Sequence, residues 1–364
     1  MGLVLVYLQV LIFRRKRLDF LYEYGLFFAK AITIVLAIIA IIIAIAASAI
    51  KQSHKKGELE ITDLSEHFDD VEQDVIYHLL TKEQLKQKEK EDKKQAKEKA
   101  KADKKSVKDG AEEQETRVFV VDFNGSIDAK EVASLREEIS AILTVATPQD
   151  EVFVRLESGG GMVHGYGLAS SQLDRIRQHG IPLTVSVDKV AASGGYMMAC
   201  VANKIISAPF AIVGSIGVIA QVPNFHRLLK KNDVDFEQFT AGEFKRTITM
   251  FGENTEKGRE KFNEELEETH LLFKGFVNEH RPSLDIDKVA TGEHWFGLKA
   301  KELGLVDEIQ TSDDYLQKAN KLHKVVAIKY ATKKTLAEKF SKAASLSVES
   351  IFSKMWQKNR IFPS

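Results

Sequence analysis

The chain has 364 residues, with 52 Lys+Arg against 52 Asp+Glu and a formal net charge of zero. That balance lacks the cationic excess with which proteins neutralise phosphate backbones, so nucleic acid is not expected as a partner. The lone cysteine, Cys200, rules out an intrachain disulfide, and its apolar neighbours suit a small buried hydrophobe.

In chain order, Leu3 to Phe13 is apolar but too short to span a bilayer, whereas Gly25 to Ile50 is interrupted only by Lys30. At about 1.5 Å per residue the second run is long enough to cross. Ala47-Ser48-Ala49 resembles a processing site, but the run exceeds the roughly 7–15 apolar residues of a cleaved signal peptide, so a transmembrane anchor is expected over 25–50. Arg14-Arg15-Lys16-Arg17 precedes it, against the sparser Lys51, Lys55 and Lys56 after it. The positive-inside rule then keeps residues 1–24 in the cytoplasm and sends the rest across.

Residues 51–116 read as a charged linker. Within it Lys82 to Glu115 is dominated by Lys, Glu, Gln, Asp and Ala, and forms either a solvated helix or a tether. Residues 117–330 read as the folded domain. Strand patterns at Val118 to Phe123, Val152 to Leu156 and Leu183 to Val187 alternate with helical patterns at Ala129 to Leu143 and Val163 to Ile176. That order predicts an α/β domain with parallel strands. Thr255 to Val277 predicts a long helix with Phe262, Leu266 and Phe273 on its inner side. The tail, 331–364, is basic and amphipathic, suited either to anionic lipid or to a neighbouring subunit.

Two glycine clusters carry the chemistry. Ser158-Gly159-Gly160-Gly161 follows the strand Glu151 to Glu157, and Ala191-Ala192-Ser193-Gly194-Gly195 stands before an apolar helix from Tyr196 to Val201. Ser193 at a helix N-terminus is either a nucleophile or a cap. The first cluster lacks the Gly-Lys-Ser/Thr ending of a phosphate loop. A base for Ser193 could be His164, with Asp188 completing a triad, or a desolvated lysine such as Lys245.

Several ordered motifs together resemble the signal peptide peptidase A family of Ser/Lys peptidases. They are Arg155 to Gly161, Ala192-Ser193-Gly194-Gly195-Tyr196, Gly214-Ser215-Ile216-Gly217-Val218, Gly242-Glu243-Phe244-Lys245 and Gly304-Leu305-Val306-Asp307, within a resemblance running from about Arg117 to about Ile309. The resemblance implies a ClpP/crotonase-like superhelix of ββα units behind the N-terminal transmembrane helix. It implies Ser193 as nucleophile, Lys245 as general base, Ser215 as the group orienting the lysine, and Gly160 and Gly194 as oxyanion-hole donors. Family members usually carry proline where Gly159 stands, which leaves this loop less rigid. They begin near Asp19-Phe20-Leu21, so residues 1–18 read as a start-site artefact, without which the Arg14 to Arg17 cluster drops out of the topology argument. The implied activity is a membrane-anchored serine endopeptidase acting on peptides such as signal-peptide remnants or membrane-protein fragments, with the catalytic domain on the periplasmic side of a bacterial inner membrane. Neither metal nor cofactor is required, and homo-oligomers are implied. Two other readings are a non-catalytic peptide-binding scaffold of the same fold and a crotonase-like acyl-CoA enzyme; the latter leaves the serine and lysine without a role.

Overall fold

Runs of apolar residues too short for helices become the strands of a central sheet. The computed structural model describes residues 24–38, 57–108 and 116–331. Residues 24–38 form helix α1, with Phe27, Ile34 and Leu36 among its exposed side chains. Among the described residues no helix is long and apolar enough to cross a membrane. The expected anchor over 25–50 thus lies partly outside the described residues, as do the whole of 1–18 and the tail beyond 331.

The second unit, Leu59–Ala331, holds the α/β domain. Its seven-stranded sheet has the order β1-β10-β2-β3-β4-β6-β9, from β1 (Glu58–Asp63), β10 (Lys324–Ala331), β2 (Arg117–Asn124), β3 (Glu151–Glu157), β4 (Leu183–Val187), β6 (Lys204–Ser207) and β9 (Glu308–Ile309). Every pair from β10 to β9 is parallel. A parallel strand in mid-sheet buries both faces and so reads as continuous apolar sequence, and β4 accordingly has all five residues buried. A smaller sheet has the order β5-β7-β8, from β5 (Val190–Ala192), β7 (Ile212–Gly214) and β8 (His294–Phe296). The consecutive strands β4 and β5, and again β6 and β7, each give one strand to the large sheet and one to the small, a strand-strand-helix rhythm.

Helices α4 (Val132–Leu143), α5 (Val163–Gln178) and α6 (Gly194–Ala199) pack on one face. There Leu135, Ile139, Leu173 and Met198 meet Val121, Val154 and Val185, all within 1% of full burial. On the other face, Val120, Phe153 and Ile206 lie under α11 (Ser312–Ala319) through Leu316 and under α2 (Leu64–Leu79) through Leu64 and Phe68. Each such fully buried aliphatic or aromatic side chain contributes about 1.5–3 kcal/mol.

Two readings shift. The segment expected as linker, 51–116, contains β1 and α2, which belong to the compact unit, as well as the charged helix α3 (Lys82–Lys108). Lys324 pairs with Asp63 and the Ser65 hydroxyl accepts from the Val325 N–H, so β10, far away in sequence, recruits this segment. The long helix α8 (Glu256–His280) is present, capped by Thr255, but only Phe273 and Val277 are buried; Phe262 and Leu266 are half-exposed.

Candidate functional site

The C-terminal ends of β3, β5 and β7 converge. Ala192 pairs with Gly214 in parallel register, so the next residues, Ser193 and Ser215, leave the small sheet side by side. The Ser193 N–H donates to the Gly214 carbonyl at 2.8 Å, and the Ser193 carbonyl accepts from the Met197 N–H at 2.9 Å. Clamped on both sides, Ser193 adopts φ 52°, ψ −118°, and Ser215 has φ 53°. A non-glycine residue held there costs on the order of 1–2 kcal/mol, and such strain clusters at functional positions.

The capping alternative for Ser193 is not realised, because its side chain bonds no N–H of α6. It stands instead on a sharp strand-to-helix turn, the geometry that presents a nucleophilic hydroxyl to a substrate. Gly194, the first residue of α6, has an N–H with no acceptor among the described residues.

Gly160 lies against Ser193. A Cβ built on it would come within 2.7 Å of the Gly194 nitrogen, 2.8 Å of the Ala192 oxygen and 2.8 Å of the Ser193 Cβ, and its φ is +87°. Only glycine fits. Its N–H, however, is directed to the Ser158 hydroxyl at 3.1 Å rather than toward an oxyanion. The neighbouring Gly161 N–H has no acceptor among the described residues. Gly161 also lines, with Ser193, Gly194, Met197, Thr269 and Phe273, a cavity of about 70 Å³.

Beneath this turn lies a feature the sequence did not single out. The Ser158 hydroxyl contacts the Tyr166 hydroxyl at 2.5 Å, and that hydroxyl reaches the Ser126 carbonyl at 2.8 Å. Burial pushes the Tyr166 phenol above its ordinary pKa. The sequence signal was a serine closing β3 followed eight positions later by a tyrosine on the inner face of α5.

Lys245 is placed differently. It lies in an irregular, exposed stretch, with its N–H directed to the Gly242 carbonyl at 3.3 Å. Its neighbours touch α8 through exposed contacts, Glu243 pairing with Lys257, and Lys257 and Lys261 sitting 5.5 and 5.8 Å over the Phe244 ring. Within the described chain no hydrogen bond joins Lys245 to Ser193 or Ser215, and Lys245 does not line the cavity at Ser193. The triad alternative is not assembled either. Asp188 accepts from the Ser312 N–H and hydroxyl at 2.9 and 2.5 Å, while His164 is exposed and bonds neither Asp188 nor Ser193.

Cys200 is fully buried, and burial pushes its thiol far up. Among the described residues no group of three or more His, Cys, Asp or Glu is placed to hold a metal ion.

Comparison with known proteins adds the following. The family model Peptidase family S49 N-terminal matches residues 19–173, and Peptidase family S49 matches residues 175–326. A protein named Probable protease SohB from Haemophilus influenzae is 57% identical over 336 residues, 92% of this chain and 95% of that protein. Another Probable protease SohB, from Buchnera aphidicola subsp. Schlechtendalia chinensis, is 52% identical over 302 residues, 82% and 99% of the two chains. Protease 4 of Haemophilus influenzae is 28% identical over 214 residues, 57% of this chain and 35% of that protein.

Proposed function

Because the chain belongs to peptidase family S49, as its ordered motifs implied, we propose that it is a serine endopeptidase in which Ser193 attacks the peptide carbonyl and Lys245 is the base. The observation that carries this reading is Ser193 itself, strained at φ 52°, uncapped, and beside the unengaged N–H of Gly194. The Ser193 Oγ–H proton passes to neutral Lys245 as Oγ bonds to the carbonyl carbon. The carbonyl oxygen takes the electron pair, and the tetrahedral oxyanion collapses to an acyl-enzyme as the amine leaves with that proton. Water then hydrolyses the ester. The oxyanion donors are Gly194 and the glycine turn. Since Gly160 has its N–H on Ser158, the turn's free donor in this state is Gly161. The small, largely apolar cavity at Ser193 favours a small aliphatic side chain at the cleavage site.

Lys245 must lose solvent to act as a base, because desolvation disfavours an ammonium. A second copy of the chain, together with substrate, supplies that cover. Ile219, Leu228 and Phe239 are 78%, 57% and 89% exposed on the stretch that carries the lysine, which suits a subunit contact within a homo-oligomer. Ser215, in register beside Ser193, orients the lysine once it arrives. The strand-strand-helix rhythm fits the ClpP/crotonase-like superhelix. The apolar run 25–50 anchors the chain in the bacterial inner membrane, with the catalytic domain on the periplasmic side, where signal-peptide remnants and membrane-protein fragments are substrates at hand.

The test is cleavage of a fluorogenic peptide by the full chain in mild detergent. Ser193→Ala should abolish turnover, and Lys245→Ala should lower kcat about 100- to 10,000-fold, the usual range for loss of a general base. Turnover surviving in Ser193→Ala refutes the mechanism. No turnover in a correctly assembled wild type favours the peptide-binding scaffold, to which the exposed Lys245 of the single chain also speaks.

A further inference from the structure

Resting on the peptidase reading of Ser193, we infer that Ser158 and Tyr166 are positioning residues for the oxyanion hole, forming a buried hydroxyl relay that holds the glycine turn where Gly159 leaves it without a proline's stiffness. The direction of the relay follows from its ends. The Gly160 N–H can only donate, and it does so to the Ser158 Oγ at 3.1 Å. The Ser126 carbonyl can only accept, and it does so from the Tyr166 hydroxyl at 2.8 Å. The central 2.5 Å contact therefore runs from the Ser158 hydroxyl to the Tyr166 oxygen. The 3.5 Å approach of the Ser158 hydroxyl to the Gly125 carbonyl is too long to compete. Three bonds pointing one way polarise one another. Ser158 and Tyr166 are 2% and 0% exposed, so water does not replace any of them.

The relay acts on the peptide linking Gly159 to Gly160, since the Gly160 N–H is its first donor. Fixing that peptide fixes the turn whose next residue, Gly161, lines the cavity at Ser193 with its N–H unengaged among the described residues. Gly159 contributes nothing to this, for it is exposed and a Cβ there would meet no atom within 4 Å. Proline would lock φ near −65° and lower the entropy cost of ordering the loop. The Tyr166 ring serves the second donor as well, because a Cβ on Gly194 would lie 2.4 Å from it. One side chain thus supports Gly194 with its ring and the turn with its hydroxyl.

Tyr166→Phe keeps the ring and removes only the relay. Gly159→Pro restores stiffness by another route. It is sterically open, its N–H has no acceptor among the described residues, and Ser158 before it is already paired in extended form with Ala191. Measured on the full chain in mild detergent, Tyr166→Phe should lower kcat about tenfold with KM within about twofold. That is a fraction of the roughly 100- to 1,000-fold that follows loss of a whole donor. In the Gly159→Pro background the same change should cost less than about twofold, a non-additivity that a merely structural role would not produce. An unchanged kcat in Tyr166→Phe, an equal loss in both backgrounds, or a loss that only tracks unfolding overturns the relay. Labelling of Ser193 by a fluorophosphonate separates the two levels. A labelled wild type with an unaffected Tyr166→Phe sinks the relay alone, whereas an inactive, unlabelled wild type sinks the peptidase reading with it.

Discussion

Gly160→Ala is the most demanding single-atom test of the site. The added methyl must sit at φ +87°, which costs an L-residue about 1–2 kcal/mol. It must also approach the Gly194 nitrogen, the Ala192 oxygen and the Ser193 Cβ to 2.7–2.8 Å. Two of these are backbone atoms and the third is the Cβ of Ser193, fixed to its own backbone, so no flexible side chain can swing away. Overpacking of that kind costs about 1–3 kcal/mol, for a total of about 2–5 kcal/mol. Whatever part is relieved by movement displaces Ser193 or Gly194, so kcat should fall at least tenfold even where the chain stays folded. Urea unfolding followed by tyrosine and tryptophan fluorescence measures the first effect, and peptide cleavage the second. Gly159→Ala is the internal control. With open space and no left-handed φ, it should raise stability by about 0.4–1 kcal/mol. If Gly160→Ala matches Gly159→Ala in both stability and turnover, the close approach of the two glycine clusters is wrong.

Other consequences are checked more simply. Cys200, buried and with its thiol pushed far up, should resist iodoacetamide in the native chain and label fully in urea, with turnover untouched by the reagent. Asp150, 2% exposed, accepts from the Arg117 backbone and guanidinium and from Thr147, and Asp150→Ala should destabilise by about 1–3 kcal/mol by leaving those donors without their acceptor. Burial alone would raise that carboxyl, but the bonds from Arg117 and Thr147 together outweigh it and hold it below the ordinary range. Its contribution is therefore complete above the unfolded pKa of about 4 and lost as pH falls through the lower folded value. Wild type should accordingly lose more stability than Asp150→Ala on acidification below about pH 4, and parallel curves would refute the assignment. Arg281→Lys should behave nearly like Arg281→Ala, because one ammonium cannot reproduce the two guanidinium bonds to Asp307 and the third to the Gly304 carbonyl.

The strands at 118–123, 152–156 and 183–187 were legible because parallel strands buried on both faces leave unbroken apolar runs, and α5 because its inner residues recur at helical spacing. Glu58–Asp63 was not singled out. Leu59 and Ile61 alternate with acids as a strand does, but the segment has no buried face of its own, and its place beside β10 comes from residues some 260 positions away. Pairing at that separation leaves no local mark.

The site divides along the same line. Sequence identifies residues whose backbone must be unusual. Gly160 is glycine because no other residue tolerates its φ and its neighbours, and the small residues around Ser193 exist to admit that contact. It does not identify which way an N–H points. That Gly160 donates to Ser158, leaving Gly161 unengaged, depends on one peptide's rotation and on a tyrosine reaching across from α5. Nor does sequence say where a motif's lysine ends up. Gly242 to Lys245 is recognisable as a string, but the stretch carrying it has little buried apolar surface to fix it within one chain. Ser193 is the opposite case. Its strain persists without any capping bond in return, held by Gly214 on one side and Met197 on the other. A structural serine at that position would relax into the cap that α6 offers, so the retained φ of 52° is itself the argument that its hydroxyl is reserved for something outside the fold.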